Sequence, residues 1–249
     1  MTNNAPYHAI SVPVRDDLAG AHRDVLGHLA SPGAWWTARQ RLAIAAEARE
    51  AENCAFCRAR KAALSPNGVT GTHDNLQALP APIVEIIHRI VTDPARLSRS
   101  WYQAVLASGV TEGEYVETLS VIVHTVSLDT FAKALGIAHL PLAAPRDGEP
   151  SRQRPAGAVQ GDAWVPWIES AAALPEDMAG LYLPDRPAAN IMRAMSLVPT
   201  EVRSFFALGA AQYLGPTQMR DFSREFRAIT HAQIELIAGR ISSLNQCLY

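Results

Sequence analysis

From Thr111 the chain becomes apolar on almost every side of a helical wheel, with Tyr115, Val116, Leu119, Val121, Ile122, Val123, Val126 and Leu128 following one another and no proline among them. A helix that is hydrophobic all round is stable in water only when other elements surround it. Thr111 with Glu114 three residues later is a capping-box pair that marks where it starts, and Gly136 marks its close. One long central helix wrapped by others is therefore the arrangement the sequence demands. The rest of the chain agrees: Ala-rich stretches with three-to-four-residue apolar spacing dominate, and no convincing set of alternating strands bounded by turns is present. The expected fold class is all-α.

The surrounding helices can be placed from their stop signals. One runs from Asp16 to about Ala30, where Ser31-Pro32-Gly33 ends it. A second starts near Trp35 and carries Leu42, Ile44, Ala45 and Ala48. Pro66-Asn67-Gly68 reads as a turn. Pro82 opens a helix bearing Ile83, Ile86, Ile87 and Ile90 that Asp93-Pro94 ends, and another runs from about Ala95 to Ala107 with Gly109 as its C-terminal glycine. Residues 141 to 166 shift to Pro, Gly, Arg, Asp and Gln, the composition of a linker or long surface loop. Helices are then expected over Ala188–Leu197, Thr200–Tyr213 and Pro216–Phe226. A last one starts at Thr230, whose partner Gln233 makes a second capping box, and carries Ile234, Ile237, Ala238, Ile241 and Leu244 on one face. The domain reading is an N-terminal repeat over 1–140, the 141–165 loop, and a C-terminal repeat over 166–249.

With 249 residues, 48% of them apolar and 18% charged, the chain can bury a sizeable core without disulfide or metal staples. Its 22 Lys and Arg against 24 Asp and Glu, scattered rather than striped, argue against nucleic acid as a partner. Apolar runs such as Leu119 to Leu128 fall well short of the roughly 20 residues that cross a bilayer, so no membrane partner is expected. The N-terminus has no basic segment followed by an apolar one, and a cytoplasmic location is the expectation.

Of the three cysteines, two stand in Cys54-Ala55-Phe56-Cys57. In a reducing compartment a dithiol two residues apart points to redox or metal chemistry. A helix N-terminus or a nearby cation lowers a thiol pKa, and Arg58, Arg60 and Lys61 follow at once. The pair reads as redox-active, or else as two half-buried structural cysteines. A zinc site needs two further ligands, and His73 is the only His or Cys within about 20 residues downstream, so neither a metal nor a cofactor is expected. At the other end, Glu235 precedes Cys247 by twelve positions on a largely apolar helix, where partial desolvation would raise its pKa toward the range useful for proton transfer to or from a thiol. His231 lies four residues before Glu235 on the same face. His124, inside the apolar central segment, is a second candidate for a proton relay, or a core histidine satisfied by a backbone carbonyl. The five tryptophans read as core or interface anchors.

Glu235, eleven residues and Cys247-Leu248-Tyr249 resemble the opening of the signature of the alkylhydroperoxidase D and carboxymuconolactone decarboxylase superfamily: Glu, eleven residues, Cys-x-x-Cys, three residues, His. Ile241 to Cys247, Arg193 to Pro199 and Gly109 to Glu117 are similar to its peroxidase-related branch. The resemblance implies an all-α, often two-repeat, homo-oligomeric protein that reduces hydroperoxides with electrons from a dithiol reductant. It casts Glu235 as proton relay and Cys247 as the resolving thiol. The position of the attacking residue falls just beyond Tyr249, and some members of the branch carry selenocysteine, encoded by UGA, there. A UGA read as a stop, a natural stop or a cloning boundary each accounts for that ending. In the first repeat the signature's relay positions hold Leu42 and Lys61, so the resemblance leaves Cys54 and Cys57 without a proton relay and as a second redox pair. The alternatives in view are a non-catalytic oligomeric module of the same fold and a decarboxylase-like enzyme.

Overall fold

The computed structural model describes residues 7, 10–182 and 188–245. Helix α6, Glu112–Ala134, is the central element. Its first turn is closed by the Thr111–Glu114 capping box, in which each residue's side chain accepts the other's backbone N–H. Gly136 adopts φ +68° just past its end, the left-handed conformation that glycine takes without a Cβ penalty. At 23 residues it spans about 34 Å, and it buries Tyr115, Val116, Val121, Ile122 and Leu128 together with the polar Glu117, Ser120 and His124.

Helices α1 (Asp16–Leu29), α2 (Ala38–Glu50), α4 (Ala81–Thr92) and α8 (Pro199–Gln212) close around it. α2 and α4 pack directly on α6 and on each other, while α8 lies against α1 and α6. One core cluster runs through all of them, with Val25 and Leu29 from α1, Ile44 and Ala45 from α2, Ile86 and Ile87 from α4, and Val202 and Leu208 from α8. Between α2 and α4 sit a 3-10 turn, Ala51–Asn53, the short helix α3, Ala55–Ala62, and a second 3-10 turn at Pro66–Gly68. The first turn packs against both α2 and α4, and α3 packs against α4. The two elements that carry the chemistry below are thereby set next to α4.

The remaining helices are α5 (Arg99–Ala107), α7 (Asn190–Arg193) and α9 (His231–Leu244). Gly109 takes φ +97° after α5. Several expected boundaries move for local reasons. α2 starts at Ala38 rather than near Trp35, because Thr37 caps it and the Trp35 backbone N–H goes instead to Glu117 at 2.6 Å. The helix expected from Ala95 breaks at Ser98, whose hydroxyl accepts the Trp101 N–H and caps α5. The segment 188–197 holds only the four-residue α7, and 216–226 only a 3-10 turn at Gln218–Arg220. There the Asp221 carboxylate takes the Ser223 backbone N–H (2.9 Å), a local bond that competes with helix continuation. In the 141–166 region, Ala158–Val159 pairs antiparallel with Trp167–Ile168, the one sheet among the described residues. No helix among them is long and apolar enough to cross a membrane.

Candidate active site: a dithiol between two histidine–carboxylate pairs

Cys54 ends the 3-10 turn in an extended conformation (φ −66°, ψ 121°) and is the N-cap of α3, its sulfur accepting the Cys57 backbone N–H at 3.4 Å. A thiol in the place usually held by Ser or Asp puts its sulfur against the positive end of the helix. The next free N–H, that of Ala55, is taken by the Asp74 carboxylate at 2.8 Å. Cys57 follows one turn in. Both are free thiols and both are buried, at 0% and 2% exposure.

Two imidazoles converge on them. His73, from the loop before α4, points Nδ1 at both sulfurs, 3.4 Å from Cys57 and 3.7 Å from Cys54. His88, on α4, points Nδ1 at the Cys57 sulfur at 3.2 Å. The two rings lie 4.2 Å apart. Each imidazole is held from behind by a carboxylate. His73 Nε2 is 2.7 Å from Glu85, whose oxygens also take a two-pronged hydrogen bond from Arg60 (2.8 and 3.1 Å) and one from Trp101 Nε1 (3.0 Å). His88 Nε2 is 2.8 Å from Glu47 of α2, whose other oxygen accepts the Leu76 backbone N–H at 3.0 Å.

The surroundings drive the two imidazoles in opposite directions. Burial alone would lower His73, but hydrogen bonds to Cys57, Glu85 and Cys54 overcome it and push its pKa up to about 10. Burial dominates at His88 and holds it below the ordinary histidine value in spite of Glu47. Burial would raise the Cys54 thiol, yet the Cys57 N–H and His73 hold it below the usual cysteine value. Glu85, also buried, is brought down to about 2 by His73, Arg60 and Trp101. The centre thus sets an imidazole that favours its charged form beside a thiol whose ionisation is favoured, and an imidazole that favours its neutral form against the second sulfur. A cleft of ≈ 750 Å³ lined by Phe56, His73, Leu79 and Glu85 opens on the His73–Glu85 side of the centre.

The other residues that the sequence singled out lie in different surroundings. Glu235 is half exposed on α9, accepts a hydrogen bond from the Tyr213 hydroxyl (2.5 Å) and sits 3.4 Å from His231. The His231 ring stacks on Phe222, 4.2 Å away and nearly parallel. Cys247 lies outside the described residues. His124 is fully buried in α6, its Nδ1 2.8 Å from the Ser120 carbonyl oxygen, the core-histidine arrangement. It borders a second buried polar cluster, in which Arg41 of α2 bridges Glu117 (2.6 Å) and Glu201 (2.8 Å), and Glu201 also accepts from Ser120 (2.6 Å) and pairs with His28 (2.9 Å).

Glu47, Glu85 and His88 were not among the residues that the sequence singled out. Glu47 and His88 bring a carboxylate and an imidazole to Cys57 from α2 and α4. The available signal was a charged or titratable residue at a core position: Glu47 between Ala45 and Ala48, and His88 between Ile87 and Ile90. A side chain of that type is buried only with a partner, so each such position announces one. No protein-family model, curated protein or solved structure matches the chain.

Proposed function

We propose that the chain is a thiol oxidoreductase of the alkylhydroperoxidase D kind, reducing hydroperoxides with Cys54 and Cys57 as its redox centre and a dithiol as its electron donor. The observation that carries this reading is the pair of histidine–carboxylate couples aimed at the two sulfurs, Glu47–His88 on Cys57 and Glu85–His73 on both. A Glu on one helix, a Cys-x-x-Cys opening the next and a His facing the second cysteine is the ingredient list of the superfamily's centre. Here it is assembled with a different spacing.

The steps follow from the geometry. His88, oriented by Glu47, takes the Cys57 proton. The Cys57 thiolate attacks the outer oxygen of the hydroperoxide, a sulfur–oxygen bond forms as the oxygen–oxygen bond breaks, and the departing alkoxide takes the proton from His88 and leaves as an alcohol. Cys57 is then a sulfenic acid. The Cys54 thiolate attacks that sulfur, hydroxide leaves with a proton from the His73 imidazolium as water, and a Cys54–Cys57 disulfide remains. Two electrons have passed from the two sulfurs to the peroxide, and a dithiol returns them by exchange.

The test is hydroperoxide consumption coupled to a dithiol reductant, in the wild type and in Cys54→Ser and Cys57→Ser. Cys57→Ser should abolish turnover. Cys54→Ser should keep one equivalent of peroxide reduction, leave a sulfenic acid on Cys57 that a sulfenic-acid-specific reagent traps, and stall there. Full turnover in the Cys57→Ser variant would sink the reading.

A further inference from the structure

The same four side chains have a second property that peroxide chemistry does not call for. Cys54 Sγ, Cys57 Sγ, His73 Nδ1 and His88 Nδ1 all lie within 4.8 Å of one another. Zinc bonds of about 2.3 Å to sulfur and about 2.0–2.1 Å to nitrogen put the sulfur–nitrogen edges of a tetrahedral site near ~3.6 Å. Three of the four such separations here are 3.2, 3.4 and 3.7 Å, and the fourth, Cys54 to His88, is within 4.8 Å. Both histidines turn the same nitrogen inward and give the other to a carboxylate, Glu47 or Glu85, the support that holds metal-bound imidazoles in one tautomer and orientation. Two thiolates and two neutral imidazoles around a divalent cation sum to zero charge, which suits a site whose cysteines and His88 are at most 2% exposed. Two sulfur and two nitrogen donors select a borderline-soft, tetrahedral ion over magnesium or calcium.

We propose that the reduced Cys54–Cys57–His73–His88 cluster is a tetrahedral Zn²⁺ site. Binding to two thiols and two neutral imidazoles releases two protons. Zinc needs both sulfurs as thiolates and the disulfide uses up both, so the metal-bound form and the disulfide are alternative states of one centre. This exclusion rests on the dithiol reading above. Oxidation of the loaded site by a hydroperoxide joins the two sulfurs, reduces the peroxide to an alcohol and, with two protons, water, and frees the zinc.

The test loads the reduced full chain with Zn²⁺ or Co²⁺ and removes loose metal by gel filtration. One zinc per chain is expected, and cobalt should give the intense visible bands of a tetrahedral site with a thiolate-to-metal charge-transfer band. Cys54→Ser and His73→Gln, each checked for wild-type circular dichroism, should lose both. Glu47→Gln should weaken zinc about 10- to 100-fold, the usual effect of removing a carboxylate behind a metal-bound histidine. One equivalent of hydroperoxide should release the zinc to a colorimetric chelator. A folded, reduced wild type that takes up no zinc, a weak octahedral cobalt spectrum, or uptake that survives both variants would overturn the site. The two readings fail separately. A disulfide that forms in chelator without any metal uptake overturns the zinc site alone, whereas zinc uptake by a protein that never forms the disulfide leaves the site standing and overturns the redox reading.

Discussion

Helix α2 sends a charged side chain into each of two buried clusters, Arg41 into one and Glu47 into the other, and the clusters are built to opposite ends. Around Arg41 the side-chain partners are ions: Glu117 and Glu201 accept from the guanidinium, and both carboxylates are fully buried. Burial and the neighbouring Glu201 push Glu117 up, while Arg41 and His28 hold Glu201 well below the usual carboxylate range in spite of its own burial. The charges answer one another across α1, α2, α6 and α8, and no thiol stands among them. Around Glu47 the chain of partners ends on two thiols, which are weak hydrogen-bonding groups and good nucleophiles, beside a cleft to the surface. The first cluster fixes helices relative to one another. The second holds reactive groups ready, and the difference lies in what stands at the end of each network rather than in burial.

If that contrast is right, the largest effect on stability belongs to the cluster with no chemistry. Arg41→Ala leaves two buried carboxylates without their cation and should destabilise the protein by about 3–5 kcal/mol, read from the urea-unfolding midpoint, with the thiols unchanged in reactivity at temperatures where the variant is folded. A loss under about 1 kcal/mol would mean that the cluster is solvated and that the contrast fails.

The next effect belongs to a buried histidine that lies outside both clusters. His22 is buried against the Tyr7 hydroxyl (2.5 Å) and Gln212 (3.1 Å), and burial lowers it to about 4, whereas His73, bonded to Cys57 and Glu85, goes the other way. Below its ordinary value near ~6.5 the unfolded chain takes up a proton at His22 that the folded chain does not, so stability falls with pH. The loss should run from about pH 6.5 to about 4 and level off below that, totalling up to about 3 kcal/mol at ~1.4 kcal/mol per unit. His22→Leu should flatten that slope, whatever it does to the absolute stability. An unchanged slope would show that His22 protonates freely in the fold.

At the thiol centre, Glu47→Gln keeps an oxygen facing His88 but loses the charge that orients and polarises it, and should slow peroxide reduction by about 10²-fold, the lower end of what positioned proton transfer contributes. Glu235→Gln, on the half-exposed face of α9, is the smallest effect: less than about twofold on the same assay, as for surface substitutions away from a site. Reversal of those two results would move the working centre to the C-terminal segment.

What the sequence made legible was whatever local chemistry decides. The Thr111–Glu114 and Thr230–Gln233 capping boxes, the glycines at 109 and 136 and the all-round apolar segment located α6 and α9 to within a residue or two. The 216–226 segment does not form the expected helix, because Asp221 and Ser223 bond to each other locally. Cys54 and Cys57 stood out as a spacing. Their partners did not, because Glu47, His73 and His88 come from three elements that only the packing of α2, α3 and α4 brings together. His88 is 31 residues from the thiol it faces.

The most direct test of the central claim is made on the reduced, metal-free chain with Cys247 replaced by Ser. One equivalent of a hydroperoxide is added and the products are mapped by peptide mass. We predict one equivalent of alcohol and a single new disulfide joining Cys54 to Cys57. Two alkylatable thiols at 54 and 57 after the peroxide is spent, or a reaction that disappears with Cys247, would contradict it.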